Sequence, residues 1–505
     1  MGRKSREKRE RKTQEAEFKR AYVDSPPVKY PVRPRPSTGF TGSERALAKL
    51  ARETFLSLWS YPNVVRDEPQ GKGIIGKEIA DLLVVFEDDV VLFSDKDCVF
   101  PSTGNLDVDW SRRYRNAIDK SAKQLWGAER QIRAHPGRIF IDPKCEIRLP
   151  IPLPDPARMR IHRVVVAHGA SQRCREVLGG SGSLMIVPGI VGDEHQLPQE
   201  KGGQPFAIGR VSATKPFVHV LDDTSLDLLL KNLDTVWDFV GYLRKKEAFI
   251  SSGRLGMAAG EEALLGWYVG KINEHDEHDF VVPAEAGDKP LALSESRWDD
   301  FLNSGERRRK LEADKISYFW DELIELFARH YMAGTSHHLT EVESTHYDFE
   351  RVLRFFAREN RTRRRLLADA VWHMHQTTPP DQRRLRIIPP MLAGDPYWAL
   401  LLFPFPENLN VGRKVDYQHY RKVRQEFLNC CLRVVKLKWP DALDIVGFAT
   451  ESSRDGHGSE DAAYLDAREW SDAAQEEAKR LQRDLEILVK PNMLRAHVAE
   501  YPAPR

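Results

Sequence analysis

Residues 76–97 read Gly-Lys-Glu-Ile-Ala-Asp-Leu-Leu-Val-Val-Phe-Glu-Asp-Asp-Val-Val-Leu-Phe-Ser-Asp-Lys-Asp, and they form the most informative stretch of the chain. The two apolar runs, 82–86 and 90–93, consist of β-branched and aromatic residues, which favour strands. The acidic residues between them have the polarity of a short turn. The stretch therefore predicts a β-hairpin with charged side chains at the end away from the turn.

The length of the turn determines which charged side chains meet. With 88–89 alone in the loop, we expect Asp81 opposite Lys96, with Cβ atoms about 5 Å apart. Because side chains alternate along a strand, Ser94 would then share a face with Asp81. A three-residue loop would instead set Asp81 opposite Asp95 and turn Lys96 away. In either register, charged side chains lie together at one end of an apolar hairpin.

This hairpin resembles the core of the PD-(D/E)xK, or restriction-endonuclease-like, nuclease superfamily. Asp81, preceded by Ala80, matches the first acidic position, and Lys96 matches the lysine. Ser94 departs from the pattern, because the family usually has Asp or Glu there, and Asp95 lies one position late. The resemblance implies catalytic roles for Asp81, Asp95 and Lys96, with Asp81 and Asp95 as metal ligands. The middle residue of the family motif often binds the metal through its backbone carbonyl, and the same mode of binding is open to Asp95.

The implied cofactor is Mg²⁺ or Mn²⁺. Carboxylate oxygens suit a hard cation that keeps several waters. Such an ion lowers the pKa of a bound water and neutralises charge on the phosphate. A lysine beside it adds charge stabilisation as the phosphodiester reacts.

The helices that flank the hairpin extend the resemblance. Residues 43–59 predict an amphipathic helix with a serine N-cap, and the family commonly has a glutamate there, which corresponds to Glu53. Residues 113–133 predict a second helix, with Lys120 and Gln124 on its polar side. Because the family often places Gln or Lys here over the active site, the resemblance implies that Gln124 supports catalysis and that Lys120 contacts nucleic acid.

The fold class we expect is mixed α/β, in four regions. We expect residues 1–40, which are basic and rich in proline, to form a disordered arm, because such a segment cannot bury enough apolar surface to order itself. A restriction-endonuclease-like domain is implied for 41–246, followed by a mostly helical region at 247–380 and a small α/β domain at 381–505. Finer elements are predicted as strands at 138–142, 161–167, 384–388, 397–403 and 442–450, and helices at 222–246, 417–437 and 462–489.

Two basic segments are candidates for contact with nucleic acid. The arm is either a phosphate-contacting segment or a solvated tail that improves solubility. The run 361–365 either contacts phosphates through Arg363 and Arg364 or forms a solvated face. The candidate residues of the arm are Arg3, Lys4, Arg6 and Arg9.

Composition indicates a cytoplasmic protein with several domains. A chain of 505 residues is long enough for two or more cores, and hydrophobic and charged fractions of 41% and 30% are typical of globular proteins. A net charge of +2 means that nucleic acid must be held by local patches. The 5 cysteines, without C-x-x-C pairs, fit a reduced compartment and argue against a zinc site or a disulfide scaffold. No run approaches the ~20 apolar residues of a membrane span, so we expect no membrane partner.

Together these features predict a metal-dependent nuclease that hydrolyses phosphodiester bonds in DNA, with RNA left open as a substrate. The large C-terminal extension indicates a guided or regulated enzyme of bacterial defence or repair, which works with other subunits. Because Ser94 replaces the usual acid, an alternative is a catalytically degenerate nuclease fold that binds nucleic acid or a partner protein. A third interpretation assigns the function to 381–505 as an interaction scaffold.

Overall fold

The computed structural model describes residues 42–70, 73–333, 346–392, 394–405, 416–452, 459–492 and 498–503, and these form a mixed α/β structure. The strands are β1 (Ser60–Gln70), β2 (Gly73–Phe86), β3 (Asp89–Asp97), β4 (Arg160–His168), β5 (Met185–Val191), β6 (Ala207–Arg210), β7 (Val218–Leu221), β8 (Leu255–Ala258), β9 (Leu291–Leu293), β10 (Arg384–Ile388), β11 (Tyr397–Phe403), β12 (Asp444–Glu451) and β13 (Glu460–Asp466).

The α-helices lie between and around these strands. None of those in the described ranges has the length and apolar character needed to cross a membrane. They are α1 (Gly42–Phe55), α2 (Leu106–Arg113), α3 (Lys120–Ala134), α4 (Ser171–Leu178), α5 (Asp223–Asn232), α6 (Val236–Ser251), α7 (Glu261–Val269), α8 (Ser296–Asn303), α9 (Gly305–Asp314), α10 (Tyr318–Met332), α11 (His346–Arg358), α12 (Arg361–Thr377), α13 (Tyr417–Lys438) and α14 (Asp472–Asp484).

The first sheet has the strand order β1-β2-β3-β4-β7. Strands β1, β2 and β3 form an antiparallel meander, and β4 and β7 continue the sheet parallel to β3. Because parallel neighbours need a crossover, β3 and β4 are connected through α2, a π-helical turn at Tyr114–Asp119, and α3. The expected order of helix, hairpin, helix and strand is present.

Different helices cover the two faces of this sheet. Arg163 of β4 forms an ion pair of 2.6 Å with Glu129 of α3, so its side chain lies on what we call the α3 face. Phe93 of β3 lies on the other side, with its ring centroid 6.1 Å from that of Phe55 on α1 and 6.2 Å from that of Phe239 on α6. We call this the α6 face. Alternation along each strand then assigns the remaining side chains to one face or the other.

The rest of the chain packs against this sheet without a clear break. A second sheet, β6-β5-β8-β9, and a third, β10-β11-β12-β13, lie on either side of helices α9 to α12 in the sequence. One hydrophobic core draws residues from across 47–462. Trp320 and Phe356 of the helical region contact the ring of Trp398 on β11, at centroid distances of 5.1 and 4.7 Å. The expected boundaries at 246 and 380 therefore fall within a shared core.

The expected helix over 462–489 is wrong in its first part. Residues Glu460–Asp466 form β13, and Ala462 and Ala463 pair with Phe448 and Gly447 of β12. Alanine favours helices, but here the gain from pairing and burial against a central strand is larger. The charged helix that follows is the shorter α14.

Two further elements differ from expectation. Residues 138–142 are not a strand, because Phe140 makes isolated bridges rather than a ladder. The helix expected over 222–246 is divided into α5 and α6. Thr235 causes the division, since its hydroxyl oxygen accepts the N–H of Asp238 at 3.1 Å and thereby caps a new helix.

Candidate active site

The β2–β3 hairpin closes in a register that neither sequence-based alternative predicts. Phe86 pairs with Asp89, so the turn consists of Glu87 and Asp88. Glu87 adopts a left-handed φ of 52°, which allows the two-residue turn to close one position early. Continued by one step beyond the last pair, this register sets Asp81 across from Ser94 rather than across from Asp95 or Lys96.

Strands β2 and β3 separate where the charged residues begin. Their pairing ends at Leu82↔Phe93, and beyond it β2 follows β1 while β3 follows β4. In the resulting fork, Asp81 Oδ2 accepts the backbone N–H of Asp95 at 2.6 Å. Because the N–H and C=O of a strand residue point toward the same neighbour, the Asp95 carbonyl oxygen also faces the fork. The fork thus combines a carboxylate with a backbone oxygen.

A β-bulge brings a second carboxylate to the same place. Val64 pairs with Ala80 and Val65 pairs with Glu78, which leaves Ile79 as an extra residue in β2. Ala80 shares a face with its partner Val64, so both Val65 and Asp81 lie on the other face, and Glu78 shares that face with its partner Val65. The bulge therefore turns Glu78 to the face that carries Asp81, as bulges commonly re-aim a side chain.

Glu78 is one of the groups that perturb the carboxyl group of Asp81. Burial of Asp81 raises its pKa, the N–H of Asp95 lowers it, and hydrogen bonding and charge from Glu78 raise it further, to about 7. Lys96 lowers it by its charge. Burial and a second acid hold the pKa of this carboxyl group near neutrality, and a bound cation would stabilise its charged form. Groups with pKa values perturbed in this way cluster at functional sites.

Lys96 completes the group on the α3 face. It lies two residues after Ser94, so alternation places both side chains on the face of Asp81. Lys96 is partly exposed, whereas Ser94 is buried. The candidate site therefore consists of Asp81, Glu78, Lys96 and the Asp95 carbonyl oxygen, and these groups have the chemistry of a divalent-cation site beside a fixed positive charge.

The Asp95 carboxylate lies on the opposite face, because Asp95 alternates with Ser94. Its side chain is fully buried, and Oδ1 lies 2.6 Å from Nε2 of His168. On its other side, His168 Nδ1 lies 2.7 Å from Asp223 Oδ1. The Asp95–His168 contact is close but poorly aligned for a hydrogen bond, so it acts mainly between charges. Asp95 is expected as a metal ligand with Asp81, and its side chain lies away from the fork, so only its backbone carbonyl oxygen faces Asp81.

This arrangement fixes the charge of His168. Burial lowers its pKa, but the carboxylates of Asp223 and Asp95 outweigh that effect and raise it to about 10. The imidazolium thus joins the end of β3 to the N-terminus of α5.

The structure does not bring the supporting residues expected from the flanking helices to Asp81. Glu53 is exposed in a cavity between α1, α5 and α10, and α1 packs on the α6 face. Lys120 donates to Asn116 Oδ1 at 2.8 Å on the exposed surface, and Gln124 is also exposed. Both residues belong to α3, the helix that covers the face of Asp81, but they point to solvent.

The basic residues expected to contact phosphate have a different environment. Arg363 and Arg364 are buried, with exposures of 2% and 0%. Arg363 donates to the Pro389 carbonyl oxygen at 2.7 Å, and Arg364 donates to Asp321 Oδ1 at 2.6 Å. Since their guanidinium groups are used inside the protein, neither side chain can reach a phosphate. The four candidates in the arm, Arg3, Lys4, Arg6 and Arg9, lie outside the described residues.

Sequence reasoning missed Glu78, although it lies in the stretch that predicts the hairpin. In a regular strand Glu78 and Asp81 would point to opposite faces, and only the bulge at Ile79 reverses this. Two consecutive apolar residues, Ile79 and Ala80, are the one sequence signal compatible with such a bulge. The assignment of the site depends on this geometry, since no family model, curated protein or solved structure matches the chain.

Proposed function

We propose that the chain is a metal-dependent nuclease that hydrolyses phosphodiester bonds in DNA, with Mg²⁺ or Mn²⁺ bound in the fork between β2 and β3. The observation that supports this is the convergence of Asp81, Glu78 and Lys96 on one face of the fork. Two carboxylates and a backbone oxygen suit a hard divalent cation. In this proposal Glu78 of β2 takes the role of the acid that the family has at the position of Ser94.

The arrangement of elements also supports a restriction-endonuclease-like fold for the first sheet. A helix, the β1–β2–β3 meander, a second helical connection and the parallel β4 follow in the order that the resemblance implies. Residues that correspond to the family motif lie at the point where β2 and β3 separate.

Each residue has a distinct part in the proposed reaction. Asp81 and Glu78 would hold the ion, which would supply an acidified water and neutralise phosphate charge. The water oxygen bonds to phosphorus as the P–O bond to the leaving sugar oxygen breaks, and the proton that the water loses passes through solvent to the leaving oxygen. Lys96 stabilises the extra negative charge on the phosphoryl oxygens during this exchange.

A second candidate is a catalytically degenerate module that binds nucleic acid or a partner protein. Ser94 favours it, because a buried hydroxyl faces Asp81 where the family has an acid. The two candidates differ in one property: the enzyme needs an ion in the fork, whereas the binding module does not.

The deciding experiment is cleavage of supercoiled plasmid, single-stranded DNA and RNA in Mg²⁺, Mn²⁺ or EDTA. The variants are Asp81→Asn, which keeps an oxygen for the Asp95 N–H, and Lys96→Met. We expect Asp81→Asn to abolish metal-dependent cleavage and Lys96→Met to lower it by about 10²–10³-fold, the usual effect of one preorganised charge contact. The matched control is Lys123→Met, which removes a lysine on the exposed surface of α3.

Each result has a clear meaning if circular dichroism shows all four proteins to be folded. Cleavage that persists in EDTA, or that Asp81→Asn retains, would refute the proposal. If none of the proteins cuts any substrate but all bind DNA equally with and without the ion, the binding module is the better interpretation.

A further inference from the structure

The α6 face carries a second cluster of residues able to bind a metal ion, separate from the fork. His162 belongs to β4, His219 to β7 and Glu247 to α6. Val164 pairs with His219 in the parallel register, and His162 lies two residues before Val164, so both imidazoles project from the same face toward α6. One ligand atom from each of the three residues lies within 4.8 Å of the other two.

The hydrogen bonds of His162 leave one ring nitrogen free for a ligand. Its Nε2 lies 2.8 Å from Asp89 Oδ1, and among the described residues its buried Nδ1 has no hydrogen-bond partner. Arg160 holds the same carboxylate through two bonds of 3.0 and 2.7 Å. Because Asp89 accepts from Nε2–H, the lone pair of His162 is on Nδ1. A carboxylate that orients a histidine in this way is the usual outer partner of a metal-binding imidazole.

His219 is the least satisfied member of the cluster. Its side chain is fully buried, and neither ring nitrogen has a hydrogen-bond partner in the described part of the chain. Leaving two buried polar atoms unpaired costs free energy. A metal ion would satisfy one of them.

Two neighbouring cations, Lys246 and Arg163, are already paired with carboxylates. Lys246 bonds both carboxylate oxygens of Glu261, at 2.8 and 2.5 Å. Arg163 is paired with Glu129 at 2.6 Å. The carboxylate of Glu247 lies 3.9 Å from His219 Nε2 and is 36% exposed, so an ion has a route from solvent.

We propose that His162, His219 and Glu247 bind one Zn²⁺ ion, with a fourth position open to solvent beside Glu247. Two imidazoles and a carboxylate are a known zinc ligand set, and a tetrahedral ion holds its ligands roughly 3.4 Å apart. The cluster would therefore contract slightly around the ion. The ligands come from two strands and a helix, which explains why the cysteine pattern gave no sign of a zinc site.

This site differs chemically from the fork. The fork offers oxygen atoms, which suit Mg²⁺ or Mn²⁺, whereas imidazole nitrogens favour zinc and later transition metals. The two sites lie on opposite faces of one sheet, and the zinc proposal stands whether or not the chain is a nuclease.

The test is metal binding by the full chain after dialysis against EDTA. Zinc content and calorimetric titration with Zn²⁺ should give one equivalent per chain, and Co²⁺ should give the visible absorption of a site with four or five ligands. We expect Glu247→Gln and His219→Asn to lose that equivalent and the Co²⁺ spectrum. Glu247→Gln is the more secure variant for folding, because its side chain is partly exposed.

Two control variants should keep the zinc equivalent. His135→Gln removes an exposed histidine at the end of α3, and Asp81→Asn changes the fork alone. Failure of the wild-type chain to bind Zn²⁺, or retention of the full equivalent by a folded Glu247→Gln protein, would overturn the proposal.

Discussion

Asp81 accepts the backbone N–H of Asp95 at 2.6 Å, while the carboxylate of Asp95 lies on the other side of the sheet beside His168. One residue thus serves two sites: its backbone faces the fork and its side chain holds the end of β3 to α5. The alternation of a strand imposes this division. Its functional consequence is that Glu78, rather than the Asp95 side chain, is available as the second acid of the fork.

The first prediction concerns the pH dependence of stability. The pKa of Asp81 is raised to about 7 in the folded chain from a reference value of 3.8. Between these values the native state binds the extra proton, so this residue's contribution to stability falls as pH rises and levels off above about pH 7. We expect Asp81→Asn to remove this decline, so that its free energy of unfolding relative to wild type is more favourable at pH 8 than at pH 5. Chemical denaturation at both pH values in EDTA measures this, and an unchanged difference would contradict it.

The second prediction concerns the missing acid. Ser94→Asp would place a third carboxylate in a buried position across from Asp81. In EDTA we expect the free energy of unfolding to fall by about 1–3 kcal/mol, the cost of burying an unpaired polar group. In Mg²⁺ most of this loss should be recovered, because the ion neutralises the added charge. Thermal denaturation with and without Mg²⁺ tests this, with Ser94→Ala as the control, which should gain no more from the ion than wild type does.

The third prediction concerns the imidazolium between Asp95 and Asp223. Removal of His168 leaves the fully buried Asp95 carboxylate without its cation, so we expect His168→Gln to lower stability by about 3 kcal/mol at pH 7. Because the pKa of His168 is raised to about 10 from 6.5, its stabilising contribution is complete below pH 6.5 and is lost as pH rises to 10. The double variant Asp95→Asn/His168→Gln should recover part of the loss. Equal stability of the single and double variants would argue against the ion pair.

The sequence predicted the hairpin, the order of elements around it and the mixed α/β class, because apolar runs and their lengths carry that information. It did not predict the register, since Glu87, Asp88 and Asp89 are all acceptable turn residues and a change of one position alters every cross-strand pair. The bulge at Ile79 has no specific signature. Glu78 was therefore missed, and the sequence left open whether Asp95 faces the fork with its side chain or, as in the structure, with its backbone.

Burial was a second source of error. The run 361–365 looked like a solvated or phosphate-binding surface because arginines are seldom buried. The sequence around 361–365 does not show that Asp321 and the carbonyl oxygens of Ala357 and Glu359 accept hydrogen bonds from Arg364. The residues of the proposed zinc site were missed for a related reason, since His162 and His219 are brought together only by the parallel pairing of β4 and β7.

The fourth prediction follows from the burial of Arg364. Arg364→Met leaves Asp321 with one fewer cation and two buried carbonyl oxygens without a donor, so we expect stability to fall by about 3–5 kcal/mol. DNA affinity should not change in the fraction that remains folded. Denaturation and DNA-binding titrations measure the two effects. The control is Arg130→Met on the exposed side of α3, which should alter stability by about 0.5 kcal/mol or less.

The fifth prediction separates the ligands of the proposed zinc site from the residue that orients them. Asp89 does not contact the ion but fixes the ring of His162, so Asp89→Asn should weaken Zn²⁺ binding by about 10–100-fold without abolishing the site. The Co²⁺ spectrum should therefore remain at saturating metal, unlike that of Glu247→Gln. Competition titration with a zinc chelator gives the affinities. Asp89 also forms an ion pair with Arg160, so the matched control is Arg160→Gln. This variant removes one partner of the Asp89 carboxylate but keeps the carboxylate itself, and it should weaken Zn²⁺ binding less than Asp89→Asn does. If Asp89→Asn binds Zn²⁺ as tightly as wild type, His162 is not a ligand in the proposed way. The polar atoms of the cluster must then find their hydrogen-bond partners within the protein instead.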